Sequence, residues 1–373
     1  MHGGRIYEYS KRTGMSTEDI LDFSANINPL GPPQSAMAAI VAALNGIRHY
    51  PDTRHAAAKE VVCARFEIPD SRAVFCGNGA SEVIDLTLRR VQPKRVYVFE
   101  PAFSEYEAAA HRVGARVVHI PLEIFASQRH LSLRDALAAA APQRNIPGNA
   151  PAPKAGDVVV VNNPHNPTGR CFMRAEVLEL AEELCARGVV VLADESFLDF
   201  RADGGELTVI PWVFQMRTLV VVRSATKMYA IPGLRFGFGV AHPDLVARIE
   251  EHRDFWSVNH LAQAAATAGY QDEAFVQQTH QWIARETAYV QRTWGAHPRL
   301  QLEPPGANYF LVKLDSGIDV ESVVSGLEHQ GLFVRRCDDF RGLGSHHLRI
   351  AIRRHADNER LWLSFSDFLN RSL

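Results

Sequence analysis

No Cys-x-x-Cys pair occurs in this chain. Cys63, Cys76, Cys171, Cys185 and Cys337 are scattered over 373 residues. Thiols so spaced indicate neither a disulfide framework nor a zinc site, and a reducing cytoplasm fits them best. No apolar stretch approaches the roughly 18 residues of a membrane span, and the start Met1-His2-Gly3-Gly4-Arg5 is polar. A formal charge of −2 leaves no basic excess for nucleic acid. Internal repeats are lacking too. The one biased stretch, 138–156, carries Pro142, Pro147, Pro151 and Pro153 and reads as an exposed loop inside the larger lobe. Sixteen histidines invite a metal reading, yet His346-His347 beside Gly342-Leu343-Gly344 reads as a polar loop pair, and no metal is expected. What the chain does have is 46% hydrophobic residues over a length sufficient for two lobes of a globular protein.

Its apolar runs are short and β-branched: Val158-Val159-Val160-Val161, Val189-Val190-Val191-Leu192-Ala193 and Leu219-Val220-Val221-Val222. Helix-period segments separate them; Val177, Leu180, Ala181 and Leu184 fall at i, i+3, i+4 and i+7. The runs therefore read as buried parallel strands of an α/β fold. Ligands of such sheets bind beyond the carboxyl ends of the strands, where Asn166, Asp194 and Lys227 would gather.

Lys227 follows its strand closely, with Ser224 three residues before it and Arg235 eight after. That placement suits an aldehyde cofactor carrying a phosphate, although a lone lysine after a strand is usually a solvated loop residue. Asp194 follows five apolar residues. It could cap the next helix, but an unpaired carboxylate is costly to bury, so a cationic partner such as a protonated pyridinium nitrogen is expected. Asn166-Pro167-Thr168-Gly169 is a tight-turn sequence. Upstream, Cys76-Gly77-Asn78-Gly79-Ala80-Ser81-Glu82 precedes Ile84, Leu88 and Val91, so a glycine-rich turn opens a helix there. Its free N–H groups could cradle a phosphate, or it could be an ordinary capping box. Phe103 could stack on a cofactor ring or belong to the core.

Taken in order, Asn163-Pro164-His165-Asn166-Pro167-Thr168-Gly169, Asp194-Glu195-Ser196-Phe197 and Ser224-x-x-Lys227 with Gly233-Leu234-Arg235 resemble the fold type I pyridoxal-phosphate enzymes. The likeness is to the class I/II aminotransferase superfamily near histidinol-phosphate aminotransferase. His2-Gly3-Gly4 and 21–33, which runs Leu-Asp-Phe-Ser-Ala-Asn-Ile-Asn-Pro-Leu-Gly-Pro-Pro, are similar to the start of the threonine-phosphate decarboxylase family. Arg48-His49-Tyr50-Pro51-Asp52, Trp256-Ser257-Val258-Asn259, Ala307-Asn308-Tyr309 and Arg349-Ile350-Ala351-Ile352-Arg353 agree.

Strand-helix alternation places a large domain at 45–245 and a smaller one at 246–373, and the resemblance implies a mostly parallel central sheet in the first and an α/β fold in the second. Residues 1–44 would form an N-terminal arm and part of the small domain. It implies pyridoxal 5'-phosphate held covalently by Lys227, with Asp194 on the ring nitrogen, Asn166 on the ring hydroxyl and Phe103 on one face. Gly79, Ala80, Ser81, Ser224 and Arg235 would hold the cofactor phosphate, joined by Tyr50 of a neighbouring subunit in a homodimer. His2, Gly3, Asn26, Asn166, Arg335 or Arg336, and Arg349 would bind the substrate's anions. Serine stands at position 196 where relatives usually carry alanine.

The activity implied is a carboxy-lyase that turns L-threonine O-3-phosphate into (R)-1-amino-2-propanol O-2-phosphate and CO₂, supplying the aminopropanol linker of cobalamin. Three alternatives share the motifs: serine phosphate decarboxylation giving ethanolamine phosphate, histidinol-phosphate-type transamination, and a non-catalytic cofactor-sensing module. Among them, the reaction depends on which Cα bond stands perpendicular to the cofactor ring.

Overall fold

The valine-rich runs enter one sheet. The computed structural model describes residues 3–125, 132–140 and 151–371. After β1 (Leu21–Asp22), seven strands follow: β2 (Val74–Gly77), β3 (Arg95–Glu100), β4 (Arg116–Pro121), β5 (Val158–Asn162), β6 (Val190–Asp194), β7 (Leu219–Ser224) and β8 (Gly237–Ala241). Their order is β2-β8-β7-β6-β5-β3-β4. β4, β3, β5, β6 and β7 run parallel, while β8 is antiparallel to both of its neighbours. Every residue of β5, β6 and β7 is buried, as expected for a sheet covered on both faces.

Alternate side chains of these strands feed two separate cores: Val159, Val161 and Val191 enter one, and Val158, Val160 and Leu192 the other. The helix Arg174–Ala186 buries Val177, Leu180, Ala181 and Leu184, the stripe expected of it. Arg223 lies buried between Glu195 at 2.8 Å and Asp199 at 2.7 Å and ties the ends of β6 and β7 together. Burial pushes the Glu195 carboxyl up, opposed chiefly by the Arg223 charge.

One expectation needs correction. The helix Leu133–Ala140 takes in residues 138–140 of the stretch read as a loop, because Leu133, Ala136 and Leu137 bury one face at i, i+3 and i+4. Residues 141–150 lie outside the described residues.

A second, antiparallel sheet has the order β12-β13-β10-β9, built from β9 (Leu300–Leu302), β10 (Tyr309–Leu314), β12 (Arg335–Arg336) and β13 (His347–Ala351). Beside it, β11 (Leu332–Phe333) pairs in parallel with β1. The early segment is thereby fastened to the C-terminal part: Ala351 N–H donates to Phe23 O at 2.8 Å, and Tyr9 of the helix Ile6–Thr13 stacks on Phe333 at 4.1 Å. The fold is thus α/β, with a mixed, mostly parallel seven-stranded sheet and a small antiparallel one. Among the described residues, no helix is long and apolar enough to cross a membrane.

Candidate active site

Strand register sets the site. Asn162 pairs with Asp194 and Asp194 with Val222, so β5, β6 and β7 release their loops at one level. A cavity of about 620 Å³ lies there, and Asn166, Asp194 and Lys227 all line it.

One end of the cavity is made for an anion. The helix Ala80–Val91 begins at Gly79, whose φ of +81° suits glycine, and no side chain caps it. Glu82 accepts the Asn78 N–H at 2.5 Å, which closes the preceding turn and leaves the helix start open to a ligand. A Cβ on Gly79 would come within 2.4 Å of an Arg235 guanidinium nitrogen; the missing side chain lets the arginine lie over the helix start. Ser81, Ser224 and Thr226 line the same cavity, with the last two hydroxyls 2.8 Å apart. Helix dipole, arginine and hydroxyls together match a phosphate.

Lys227 stands beside this cradle, its Nζ donating to Thr226 Oγ1 at 3.0 Å. Burial first, then the Arg235 charge, lowers its amine to about 8 against the opposing pull of Asp194. An amine so tuned carries a sizeable neutral, nucleophilic fraction near neutrality.

Asp194 is 4% exposed. Its Oδ2 accepts from Tyr106 OH at 2.6 Å and its Oδ1 from Ser196 N–H at 2.9 Å. Neither donor is a cation. Asn166 is held through its own N–H to Asn162 Oδ1 at 2.7 Å, and its Oδ1 accepts from Arg349 Nη1 at 2.6 Å. Arg349 also donates through Nη2 to Ser24 O at 2.7 Å, while its Nε is buried without a partner. Asn26 Oδ1 and Ser196 Oγ are likewise buried and unpartnered, and all three residues line the cavity. Buried polar atoms left unpaired around one cavity are what a polar ligand would satisfy.

Strand alternation separates the adjacent arginines. Arg335 lines the cavity and donates to both carboxylate oxygens of Asp339 at 2.9 Å. Arg336 points the other way and pairs with Glu321. Gly3, Ala80 and Phe103 also line the cavity. A Cβ on Gly3 would lie 2.1 Å from Ser24 O, and the next N–H, of Gly4, donates to Ser24 Oγ at 3.0 Å. His2 lies outside the described residues. Tyr50 is exposed and stacks on Trp256 at 4.5 Å, away from the cavity of its own chain.

Several lining residues were not picked out from the sequence, among them Tyr106, Thr226, Ser24 and Arg353. Each stands within a segment singled out for a neighbour. Tyr106 lies three residues past Phe103 and Thr226 one before Lys227, so only the fold shows that they turn inward. The expected pyridoxal phosphate fits this donor set: an anion cradle at one end, an amine beside it, and a buried carboxylate and aromatic wall for the ring.

The family model for aminotransferase class I and II matches residues 18–362. The threonine-phosphate decarboxylase of Salmonella typhimurium is 33% identical over 370 residues, 99% of this chain and 96% of that relative. Histidinol-phosphate aminotransferase 2 of Ralstonia nicotianae is 33% identical over 339 residues, 89% of this chain and 85% of the relative. Among solved structures, the L-threonine-O-3-phosphate decarboxylase of Porphyromonas gingivalis superposes with a TM-score of 0.78 at 25% identity, covering 93% of this chain and 99% of its own.

Proposed function

The chain belongs to the aminotransferase class I and II family, whose cofactor is pyridoxal 5'-phosphate, and on that footing we propose that it decarboxylates L-threonine O-3-phosphate. The products are (R)-1-amino-2-propanol O-2-phosphate, the aminopropanol linker of cobalamin, and CO₂. The α-carboxylate departs as CO₂ and one proton takes its place on the α-carbon.

One observation carries this reading. Arg335 and Arg349 are paired across β12 and β13, and both line the cavity, with Arg353 nearby. Two guanidinium groups side by side suit a substrate with two anionic groups, and guanidinium forks grip phosphate and carboxylate bidentately. Threonine phosphate carries both anions; histidinol phosphate has no carboxylate, so in a transaminase only the dicarboxylic partner would use both guanidinium groups. The Salmonella and Porphyromonas relatives, which bear that activity in their names, support the same substrate.

Bound in the cavity, pyridoxal phosphate supplies an aldehyde for the substrate amine and a ring that takes up the electron pair released at the α-carbon. The chain's own residues do the rest. Gly79, Ala80, Ser81, Ser224 and Arg235 would hold the cofactor phosphate, Asp194 would serve the ring nitrogen, Asn166 the ring hydroxyl and Phe103 one ring face. Arg349 takes the carboxylate and Arg335 the substrate phosphate, with Gly3 and Asn26 closing the anion pocket and His2 assigned there from sequence. Anchoring both anions would fix the rotation about the substrate's α-carbon and so select which of its bonds breaks. Lys227 would hold the cofactor's aldehyde, and its amine is placed to hold the proton delivered to the α-carbon. Tyr50 completes the phosphate cradle of the other protomer in a homodimer.

A second reading, transamination of histidinol phosphate, is favoured by the Ralstonia relative at the same identity and shares the cofactor residues. Incubating the holoenzyme with threonine phosphate, with and without 2-oxoglutarate, separates the two. CO₂ and aminopropanol phosphate in the absence of keto acid support decarboxylation. Keto product without CO₂ refutes it.

A further inference from the structure

Tyr106 is the second residue of the helix Glu105–Arg112 and is 2% exposed. Its hydroxyl donates to Asp194 Oδ2 at 2.6 Å. Its ring meets Phe103 edge-on, centroids 5.8 Å apart at 87°. Both aromatic residues line the active-site cavity. One side chain thus touches both groups assigned to the cofactor ring, the buried carboxylate and the aromatic wall. Burial, followed by the Asp194 charge, pushes the phenol well above its ordinary range, so it stays a donor at every working pH. Asp194 is then tethered from two sides: its Oδ1 by the Ser196 N–H at the end of its own strand, its Oδ2 by a phenol from another element.

We propose that Tyr106 is a positioning residue that sets the rotation of Asp194 and the charge it presents to the cofactor ring, and that props Phe103 against it. The inference rests on the reading that Asp194 faces the ring nitrogen. Donation from a phenol draws charge from the carboxylate. Removing it makes Asp194 a stronger base toward the ring and frees it to rotate.

The test uses the holoenzyme, with Tyr106→Phe removing only the donor and Tyr106→Leu removing donor and ring edge. Three properties are read: the pH titration of the cofactor's visible absorption band, the circular dichroism of that band, and the cofactor dissociation constant. For Tyr106→Phe we expect the titration midpoint to move by half a pH unit or more, the dichroism to change, and cofactor binding to weaken about tenfold, as for a lost hydrogen bond to a charged group. kcat should fall more than KM rises. Tyr106→Leu should weaken cofactor binding further. An unmoved midpoint and dichroism with only a lower Tm would overturn the proposal and leave Tyr106 a packing residue.

Asp194→Asn keeps the two failures apart. If it too leaves the band unmoved, the reading of Asp194 itself is wrong. If it moves the band while Tyr106→Phe does not, only the role of Tyr106 falls. Should Tyr106→Phe fail to fold, 3-fluorotyrosine at 106 preserves shape and strengthens the donor. The midpoint must then shift in the direction opposite to that of a weakened donor, and an unchanged midpoint refutes the proposal.

Discussion

Arg349 Nη1 donates to Asn166 Oδ1 at 2.6 Å, joining β13 of the small sheet to the loop that follows β5 of the large one. The bond makes the substrate side of the cavity depend on the seating of both sheets. Arg349→Lys keeps the charge but loses the fork that spans Asn166 and Ser24. We expect kcat/KM for threonine phosphate to drop on the order of 10- to 100-fold, as for a lost hydrogen bond to a charged group. Cofactor absorbance should be retained. Steady-state kinetics showing less than a twofold change would remove Arg349 from substrate binding.

If Lys227 is the amine that captures the cofactor, capture should depend on pH. Its amine sits at about 8, below the ordinary lysine value, because burial and Arg235 disfavour the charged form. The rate at which apo-protein takes up pyridoxal phosphate covalently should rise with pH, reach half its maximum near the lysine's value and level off above it. Stopped-flow absorbance measures this rate. Lys227→Ala should show no visible band and no turnover; turnover by that variant would contradict its role.

Arg335 and Arg336 are neighbours in sequence with opposite fates. Arg335→Ala removes a guanidinium from the cavity and should raise KM for threonine phosphate by about tenfold or more. Arg336→Ala breaks an outward pair with Glu321 and should change kcat/KM by less than about twofold, since pairs of that kind contribute little. Equal losses in both variants would refute the assignment.

Acid sensitivity should centre on two buried histidines. His165 hydrogen-bonds Thr168 at 2.9 Å and Phe99 O at 3.3 Å, and burial lowers its ring to about 4. His55 has both ring nitrogens buried without partners and is lowered to about 4, again by burial first. The folded-state value lies below the unfolded one, so the unfolded chain binds more protons between about pH 4 and 6.5. Stability contributed by the neutral rings is complete above that window and is lost as pH falls through it, by up to about 1.4 kcal/mol per pH unit for each group. Urea unfolding of apo-protein at pH 7 and pH 5 measures the slope, which His55→Gln with His165→Asn should flatten. An unchanged slope would show that other groups govern it.

The strand ends were legible in the sequence because uninterrupted β-branched runs bury both faces and must stop where polar residues begin. Asn166, Asp194 and Lys227 follow such stops. The uncapped helix start was legible from its glycine-rich turn, while only the fold brings Arg235 over Gly79. What stayed hidden was direction. Nothing in the adjacent pair Arg335-Arg336 says which residue faces the cavity until β12 pairs with β13. Nothing in the sequence marks Tyr106, whose partner Asp194 at the end of β6 lies 88 residues further along the chain. The helical residues 138–140 were obscured by prolines further along, although the face formed by Leu133, Ala136 and Leu137 carried the period.

The most direct measurement follows carboxyl-labelled L-threonine O-3-phosphate through the holoenzyme with no keto acid present, counting labelled CO₂ against (R)-1-amino-2-propanol O-2-phosphate. Decarboxylation predicts equal amounts of both over many turnovers, with far lower kcat/KM once Arg335 or Arg349 is replaced. Label retained in a keto product, or turnover that requires 2-oxoglutarate, would contradict it.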